Sequence, residues 1–310
     1  MKALVTGCAG LIGSSIVERC LDRGWNVVGI DNLSRGTMEN MKEFKDNDNF
    51  NFFHFHLGLI DVIPGVGQMS FDAVFHMGAL VQTKNFYENV EETFKVNVLE
   101  AYDLMNWSKK HCTGKFINGS SSEIYGHPQI FPTGEYNDVH FDGRYKTNRW
   151  SYALGKLLME YIYPTAIHMR FGNVYGERDT EEEHVIPKFI KRILRGDELE
   201  IDLNEKTTRS FVYAEDCADA CIMAYDKGVS GESYNIGGYE EITMFALAKK
   251  IGKFANKEVV IGKPFVRDGN PIRRNLDTSK ALEHFGWRQK IYLDEGLKRM
   301  IEYIKKEMDK

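Results

Sequence analysis

The feature that most constrains the fold is a glycine-rich turn between the first strand-like run and the first helix-like run. Apolar residues 3–5 precede the turn, and residues 14–23 carry apolar side chains at helical spacing. Glycines there permit a tight turn and let backbone amides approach an anion at the positive end of the helix. We expect this turn to bind the pyrophosphate of a dinucleotide. The residues expected to line it are Gly7, Gly10, Leu11, Ile12 and Gly13.

A second apolar run, at residues 25–30, ends at an acidic residue, Asp31, which Asn32 follows. A carboxylate at the end of the second strand accepts hydrogen bonds from the ribose hydroxyls of the dinucleotide. It also repels a 2′-phosphate by its charge. The sequence therefore predicts NAD as the cofactor, in preference to NADP.

Strand-like and helix-like runs alternate through the first half of the chain. Residues 71–77, 115–118 and 166–170 are typical of strands, whereas residues 91–109 and the stretch from about 151 are typical of helices. Such alternation predicts a parallel sheet with helices on both faces. We expect a Rossmann-type doubly wound α/β domain over residues 1–170. A smaller α/β substrate domain is expected over residues 171–310, with a soft boundary and elements that interleave.

Charge and composition exclude several classes of partner. The formal net charge of −5 gives no electrostatic footprint for nucleic acid or for an anionic membrane surface. The five cysteines are scattered and have no metal-ligand spacing, so we expect reduced thiols and no metal. The chain starts directly with a strand-like run and contains no 18-residue apolar run, so we expect a cytoplasmic protein without membrane association.

Tyr152 and Lys156 stand one helical turn apart on the same face of a predicted helix. Hydride removal from an alcohol carbon also requires removal of the hydroxyl proton, and a phenol can take it when nearby positive charge lowers its pKa. The alternative is a chance pair on an exposed helix. Because the pair lies within a predicted dinucleotide domain, we interpret it as catalytic and as contacting the cofactor.

These motifs resemble the extended short-chain dehydrogenase/reductase superfamily, in its NAD-dependent nucleotide-sugar epimerase/dehydratase branch. The spacing T-G-x-x-G-x-x-G and the run 31–34 carry the resemblance, which continues along nearly the whole chain. It implies that Gly78 and Ala79 run beside the cofactor and that Asn97 is the family's structural active-site asparagine. The family often holds the adenine with an Asp directly after a Gly near the third strand. Here that run is Gly58-Leu59-Ile60-Asp61, which departs from the pattern.

The run at residues 120–126 resembles the family pattern S-[ST]-x-x-[VI]-Y-G, whose second residue is the catalytic hydroxyl, here Ser121. Glu123 is a further candidate catalytic residue and bears on the subtype, because a carboxylate beside a 4-keto sugar can take the C5 proton that dehydration removes. Related 4,6-dehydratases and UDP-glucuronate decarboxylases carry Thr-Asp-Glu or Thr-Ser-Glu, whereas simple 4-epimerases usually carry an uncharged residue there. The alternative for Glu123 is a solvated or salt-bridged loop carboxylate. The Asp that typically donates a proton in the dehydratases is missing.

The resemblance also implies a nucleotide-diphosphate sugar as substrate. Two arginines in family motifs would supply the local positive charge that the net charge lacks. Either arginine alone could instead form a surface ion pair. The expected substrate contacts are Ser121, Asn173, Val185, Arg209, Arg267 and Asn270, the last standing where the family has Asp.

The sequence therefore predicts an NAD-dependent enzyme that oxidises sugar C4 to a 4-keto intermediate. It favours 4-epimerisation narrowly over 4,6-dehydration or UDP-glucuronate decarboxylation. A non-catalytic dinucleotide sensor is disfavoured because Ser121, Tyr152 and Lys156 are all present. Apolar residues recur on the helices near 91–109 and 151–162 in excess of what one sheet face needs, which predicts a homodimer.

Overall fold

The computed structural model describes residues 1–81, 89–141, 143, 149–179, 184–201, 206–264 and 271–309. Within these ranges, a seven-stranded parallel sheet has the strand order β3-β2-β1-β4-β5-β6-β9, the order typical of a Rossmann fold with one added strand. Its strands are β1 (Lys2–Thr6), β2 (Asn26–Asp31), β3 (Phe50–His54), β4 (Phe71–His76), β5 (Cys112–Ser121), β6 (Ile167–Phe171) and β9 (Ser233–Ile236).

Alternate residues of these strands are buried on opposite faces of the sheet. Val5 and Val27 pack into one hydrophobic core, whereas Leu4 and Val28 pack into another. Burial on both sides explains why the strands appear in the sequence as continuous apolar runs. The predicted Rossmann-type α/β fold is confirmed.

The helices that cover the sheet and build the second lobe follow the predicted periodicity in most places. They are α1 (Leu11–Asp22), α2 (Val90–Phe94), α3 (Ala101–His111), α4 (Arg149–Ile162), α5 (Val185–Arg195), α6 (Ala214–Lys227), α7 (Met244–Ala255), α8 (Ser279–Phe285) and α9 (Leu293–Met308). Short 3₁₀ helices lie at Met38–Met41, Leu57–Val62 and Ser122–Tyr125. In the described part of the chain, no helix is long and apolar enough to cross a membrane.

The helix predicted over residues 91–109 is not a uniform α-helix. A π-helix at Lys95–Glu100 joins α2 to α3, and its wider turn changes which side chains share a face. α4 packs closely against it, since a Cβ on Gly155 would lie 3.1 Å from Cγ2 of Val98. The irregular segment therefore lies beside the helix that carries Tyr152 and Lys156.

A small second sheet and three helices form the other lobe. β8 (Thr208–Tyr213) pairs with β7 (Asn173–Tyr175), β10 (Glu241–Thr243) and β11 (Arg273–Arg274). A separate hydrophobic core lies among α5, α7, α9 and β8. β9 and α6 follow residue 171 but join the main sheet and its covering helices, so elements interleave. The division at residue 170 stays a prediction.

Candidate active site

The glycine turn forms one wall of a cavity of about 650 Å³ that runs across the carboxyl ends of the parallel strands. Gly7 has a φ of +68°, and α1 starts after Gly10 with its amide end towards the turn. A Cβ on Gly13 would lie 2.0 Å from the carbonyl oxygen of Gly7, so a side chain there is excluded. The five residues expected to bind pyrophosphate, Gly7, Gly10, Leu11, Ile12 and Gly13, all line the cavity.

Asp31 lies at the end of β2 and also lines the cavity. Its Oδ2 accepts a hydrogen bond from the Ala9 amide at 3.0 Å, and its Oδ1 accepts one from the Leu33 amide at 2.8 Å. Burial raises the pKa of Asp31, and these two hydrogen bonds partly offset that rise. Each carboxylate oxygen has a second lone pair, so the arrangement fits a ribose diol. Asn32 lines the cavity next to it.

Gly78 and Ala79 form the opposite wall, close to the glycine turn. A Cβ on Gly7 would lie 2.7 Å from the Gly78 amide nitrogen, so the two walls approach closely. Asn97 does not line the cavity. Its side chain accepts a hydrogen bond from the Leu80 amide and donates one to the Leu80 carbonyl, both at 2.9 Å. Asn97 therefore holds the backbone that follows Ala79.

Three of the four predicted catalytic side chains, Ser121, Tyr152 and Lys156, meet at one end of the cavity. Ser121 ends β5 and caps the following 3₁₀ helix, with its Oγ accepting the Glu123 amide at 3.2 Å. Tyr152 and Lys156 are both buried on α4, and the Tyr152 hydroxyl is hydrogen-bonded to Ser121. Lys156 Nζ donates to the Gly119 carbonyl at 2.7 Å and lies 6.0 Å from the centre of the Tyr152 ring.

Burial has the largest effect on the pKa values of Tyr152 and Lys156. It raises the pKa of Tyr152, although the hydrogen bond from Ser121 works in the opposite direction. It lowers the pKa of Lys156 to about 8, although the carboxylate of Glu160 opposes that change. The expectation that nearby positive charge lowers the Tyr152 pKa stays a prediction, because burial sets the direction in the cofactor-free protein. A phenol in this place needs the further positive charge that bound NAD⁺ brings.

Sequence reasoning missed Glu160, which lies one helical turn after Lys156 and anchors α4 to the sheet. Its carboxylate accepts hydrogen bonds from Ser120 at 2.5 Å, from Ser233 at 3.1 Å and from Arg170 at 2.6 Å. Burial alone would raise the pKa of Glu160, but Arg170, His168 and Ser120 together outweigh burial and the pKa is lowered. The sequence feature that could have identified Glu160 is its position four residues after Lys156, on the same face of the helix.

Arg274 was also missed, and it decides the environment of Glu123. Arg274 is buried, the Glu123 side chain is 12% exposed, and both line the cavity. The guanidinium of Arg274 donates to both carboxylate oxygens of Glu123, at 2.5 and 2.6 Å. Of the alternatives for Glu123, a salt bridge is present, and it lies on the cavity wall beside Ser121 and Tyr152.

The far end of the cavity contains three of the residues that the sequence predicts to contact the substrate nucleotide. Asn173 and Val185 line it, and the Asn173 amide donates to the Ser210 carbonyl at 3.0 Å. Arg209 lines it too, and its guanidinium donates to the carbonyls of residues 208, 271 and 272. Arg267 and Asn270 lie outside the described residues, so these two expectations stay predictions.

The fold is that of a Rossmann-type dinucleotide-binding protein, and Ser121, Tyr152 and Lys156 form its candidate active site. The chain belongs to the NAD dependent epimerase/dehydratase family, whose model matches residues 3–237. The predictions of this family, of an enzyme and of NAD as cofactor are confirmed. The glycine turn, Asp31 and the closely approaching wall at Gly78 fit NAD.

Similar proteins differ in the reactions for which they are named. The chain is 29% identical to the UDP-glucose 4-epimerase of Mycolicibacterium smegmatis, over 98% of this chain and 99% of the relative. It is 30% identical to UDP-glucuronic acid decarboxylase 3 of Arabidopsis thaliana, over 97% of this chain and 88% of the relative. The structure of the Thermotoga maritima UDP-glucose 4-epimerase with UDP-glucose matches with 31% identity and a TM-score of 0.88. That match covers 99% of this chain and 100% of the other.

The buried lysine predicts a pH-dependent stability. The folded-state pKa of Lys156, about 8, lies below its ordinary value of 10.5. Between these values the unfolded chain holds a proton that the folded protein has released, so the free energy of unfolding rises with pH through this residue. For cofactor-free protein in urea, we expect wild type to gain about 3 kcal/mol from pH 8 to 10.5 relative to Lys156→Met.

The exposed lysine variant Lys110→Met serves as the control for this comparison. A difference between wild type and Lys156→Met that stays constant across the pH range would contradict the assignment.

Proposed function

We propose that this enzyme oxidises C4 of a UDP-sugar that carries a C6 carboxylate and then releases that carboxylate as CO₂, giving a UDP-pentose. The observation that supports this reaction most is the buried pair between Glu123 and Arg274 beside Ser121 and Tyr152. Uridine as the base is supported by the names of the similar proteins.

The first step needs only the three catalytic side chains and the cofactor. Ser121 orients the C4 hydroxyl, and Tyr152 takes its proton. Lys156, held by the Gly119 carbonyl, adds positive charge that favours the phenolate when it is protonated. NAD⁺, when bound, accepts the C4 hydride and later supplies it back. The product of this step is a 4-keto sugar that stays in the cavity.

The state of Glu123 disfavours dehydration as the second step. Loss of water across C5 and C6 needs a base for the C5 proton and an acid for the leaving hydroxyl. Both oxygens of Glu123 accept hydrogen bonds from Arg274, which stabilises the ionised carboxylate and makes it a weaker base. Ser122 stands where related dehydratases have the proton-donating Asp.

Decarboxylation needs no base. In a 4-keto hexuronate, the C6 carboxylate is β to the ketone, so the C5–C6 electron pair can move towards C4 as CO₂ leaves. The resulting enolate takes a proton at C5 from solvent water, and when the hydride returns to C4 the Tyr152 phenol gives its proton back to the C4 oxygen. A guanidinium in the sugar site complements both the leaving carboxylate and the enolate charge. Glu123 fixes the plane of that guanidinium.

4-Epimerisation remains the second candidate. It is favoured by the match to the Thermotoga maritima UDP-glucose 4-epimerase over 99% of this chain. It needs nothing beyond Ser121, Tyr152, Lys156 and rotation of the keto sugar. It does not explain a buried ion pair at the sugar, and such a pair is weak evidence for a purely stabilising role because its desolvation is costly.

Substrate profiling separates the two reactions. We expect UDP-glucuronate to release CO₂ and give a UDP-pentose by NMR, with no interconversion of UDP-glucose and UDP-galactose. Arg274→Gln with Glu123→Gln, which removes both charges together, should lower decarboxylation at least about 100-fold because the carboxylate loses its cation. Arg273→Gln is the matched control, since Arg273 is exposed and paired with Glu241.

Interconversion of UDP-glucose and UDP-galactose without CO₂ release from UDP-glucuronate would replace this proposal by 4-epimerisation.

The proton-transfer role of Tyr152 has its own test. Tyr152→Phe keeps the ring and its packing but removes the ionisable oxygen. Turnover on the true substrate should fall by about 10²–10⁴-fold, while NAD and UDP-sugar affinities measured by calorimetry stay close to wild type. Tyr161→Phe, an exposed tyrosine on the same helix, is the control. Near-native turnover of Tyr152→Phe would overturn the mechanism.

We also propose that the protein is a homodimer and that it is cytoplasmic. All five cysteines are free thiols, as expected in a reducing compartment. α2, the π-helix, α3 and α4 contact one another and expose large apolar side chains together. We call these residues the helical patch: Phe94, Leu99, Tyr102, Leu154, Leu158 and Tyr161, each at least 43% exposed. An apolar patch of this kind on adjacent helices fits a two-fold interface.

Sedimentation tests the dimer. At micromolar concentration we expect about twice the chain mass of 35.6 kDa. Leu158→Arg with Tyr161→Arg should shift the species to the monomer, because two charges would be buried without partners. Ile130→Arg, an exposed apolar residue outside the helical patch, should leave the mass unchanged. A wild-type monomer would refute the proposal.

A further inference from the structure

Glu100, the last residue of the π-helix, lines the same cavity but takes no part in the chemistry above. Its side chain belongs to a residue only 7% exposed. Among the described residues, its carboxylate has no hydrogen-bond or ion-pair partner. The carboxylate faces the cavity without a donor among the described residues, so it is available to accept a hydrogen bond from a bound ligand.

The position of Glu100 identifies the part of the cavity that this ligand occupies. The side chain lies against Gly58, where an added Cβ would be 3.2 Å from Cγ of Glu100. The neighbouring Asn32, His56 and Leu57 also line the cavity, next to the ribose-binding Asp31. The glycine turn lies on the other side of Asp31, so the group beyond the ribose at this end is the adenine of NAD.

The usual acidic residue for adenine is absent from this region. Asp61, the nearest aspartate after β3, is exposed and does not line the cavity, whereas Leu57 is buried and does. The missing side chain at Gly58 leaves room for the carboxylate of Glu100. An acceptor thus reaches the adenine end from the π-helix instead of from the segment after β3.

We propose that Glu100 accepts a hydrogen bond from the 6-amino group of the adenine of NAD and selects adenine over other purines. An ionised carboxylate only accepts hydrogen bonds, so it suits an amino group and rejects a 6-carbonyl oxygen. The proposal rests on NAD as the cofactor and is independent of the reaction at the sugar.

Cofactor competition tests this role without an activity assay. The holoenzyme is incubated with an equimolar excess of NAD and nicotinamide hypoxanthine dinucleotide, in which a carbonyl replaces the 6-amino group. After desalting and denaturation, chromatography quantifies the released dinucleotides. We expect wild type to retain NAD in at least about tenfold excess, because a buried acceptor facing a carbonyl is left unpaired.

Two variants of Glu100 and one control complete the test. Glu100→Gln can donate to a carbonyl, so its preference should fall to less than about threefold. Glu100→Leu should lose the preference too, and without cofactor it should melt no lower than wild type, because the carboxylate makes no hydrogen bond in the described protein that leucine would lose. Asp61→Asn should keep the wild-type ratio.

Equal retention of the two dinucleotides by wild type, or an unchanged ratio in Glu100→Gln, would overturn the proposal. A loss of preference in Asp61→Asn would do so as well. Failure of the decarboxylation assay would leave these outcomes unaffected, since they report cofactor occupancy alone.

Discussion

The contact on which the active site depends is the set of hydrogen bonds that Glu160 accepts beneath it. Through Ser120, Ser233 and Arg170, this carboxylate joins α4 to three neighbouring strands, β5, β6 and β9. Its hydrogen bonds satisfy a charge that would otherwise be costly to bury. Because Glu160 lies one turn after Lys156, the same contact sets the depth and rotation of the helix that carries Tyr152.

The side chains of Tyr152 and Lys156 so positioned are buried, and burial has the largest effect on their pKa values. In the cofactor-free protein, burial disfavours both the phenolate of Tyr152 and the ammonium of Lys156. Near neutral pH the Tyr152 phenol is therefore held neutral, whereas Lys156, with a pKa of about 8, still carries its proton. The positive charge of NAD⁺ reverses this balance for the phenol, which couples the acquisition of a base to the presence of the oxidant. A protein that lacked burial here would lose that coupling.

The parts of the fold and site that could be predicted from sequence are those encoded by local spacing. Each of these motifs lies within a short stretch of consecutive residues. They are the glycine turn, Asp31 at a strand end, and Tyr152 with Lys156 on one helix face. Arg274 was not predictable in this way, since it reaches Glu123 from a two-residue strand 151 positions away. The π-helix was missed because an added residue per turn leaves the apolar spacing nearly helical. β3 was missed because its exposed asparagine and histidine interrupt the apolar run.

The two glutamates that line the cavity show how partners assign a role to the same side chain. Both carboxylate oxygens of Glu123 accept hydrogen bonds from the Arg274 guanidinium before any ligand binds. The carboxylate therefore orients Arg274 and is a poor base. Glu100 is buried to a similar degree, but no donor among the described residues contacts its carboxylate. The carboxylate is therefore available to accept a hydrogen bond from a ligand. Burial alone would place both in one class. The hydrogen-bond donors around each carboxylate distinguish the two: Glu123 positions Arg274 in the proposed sugar site, whereas Glu100 is proposed to bind the adenine of the cofactor.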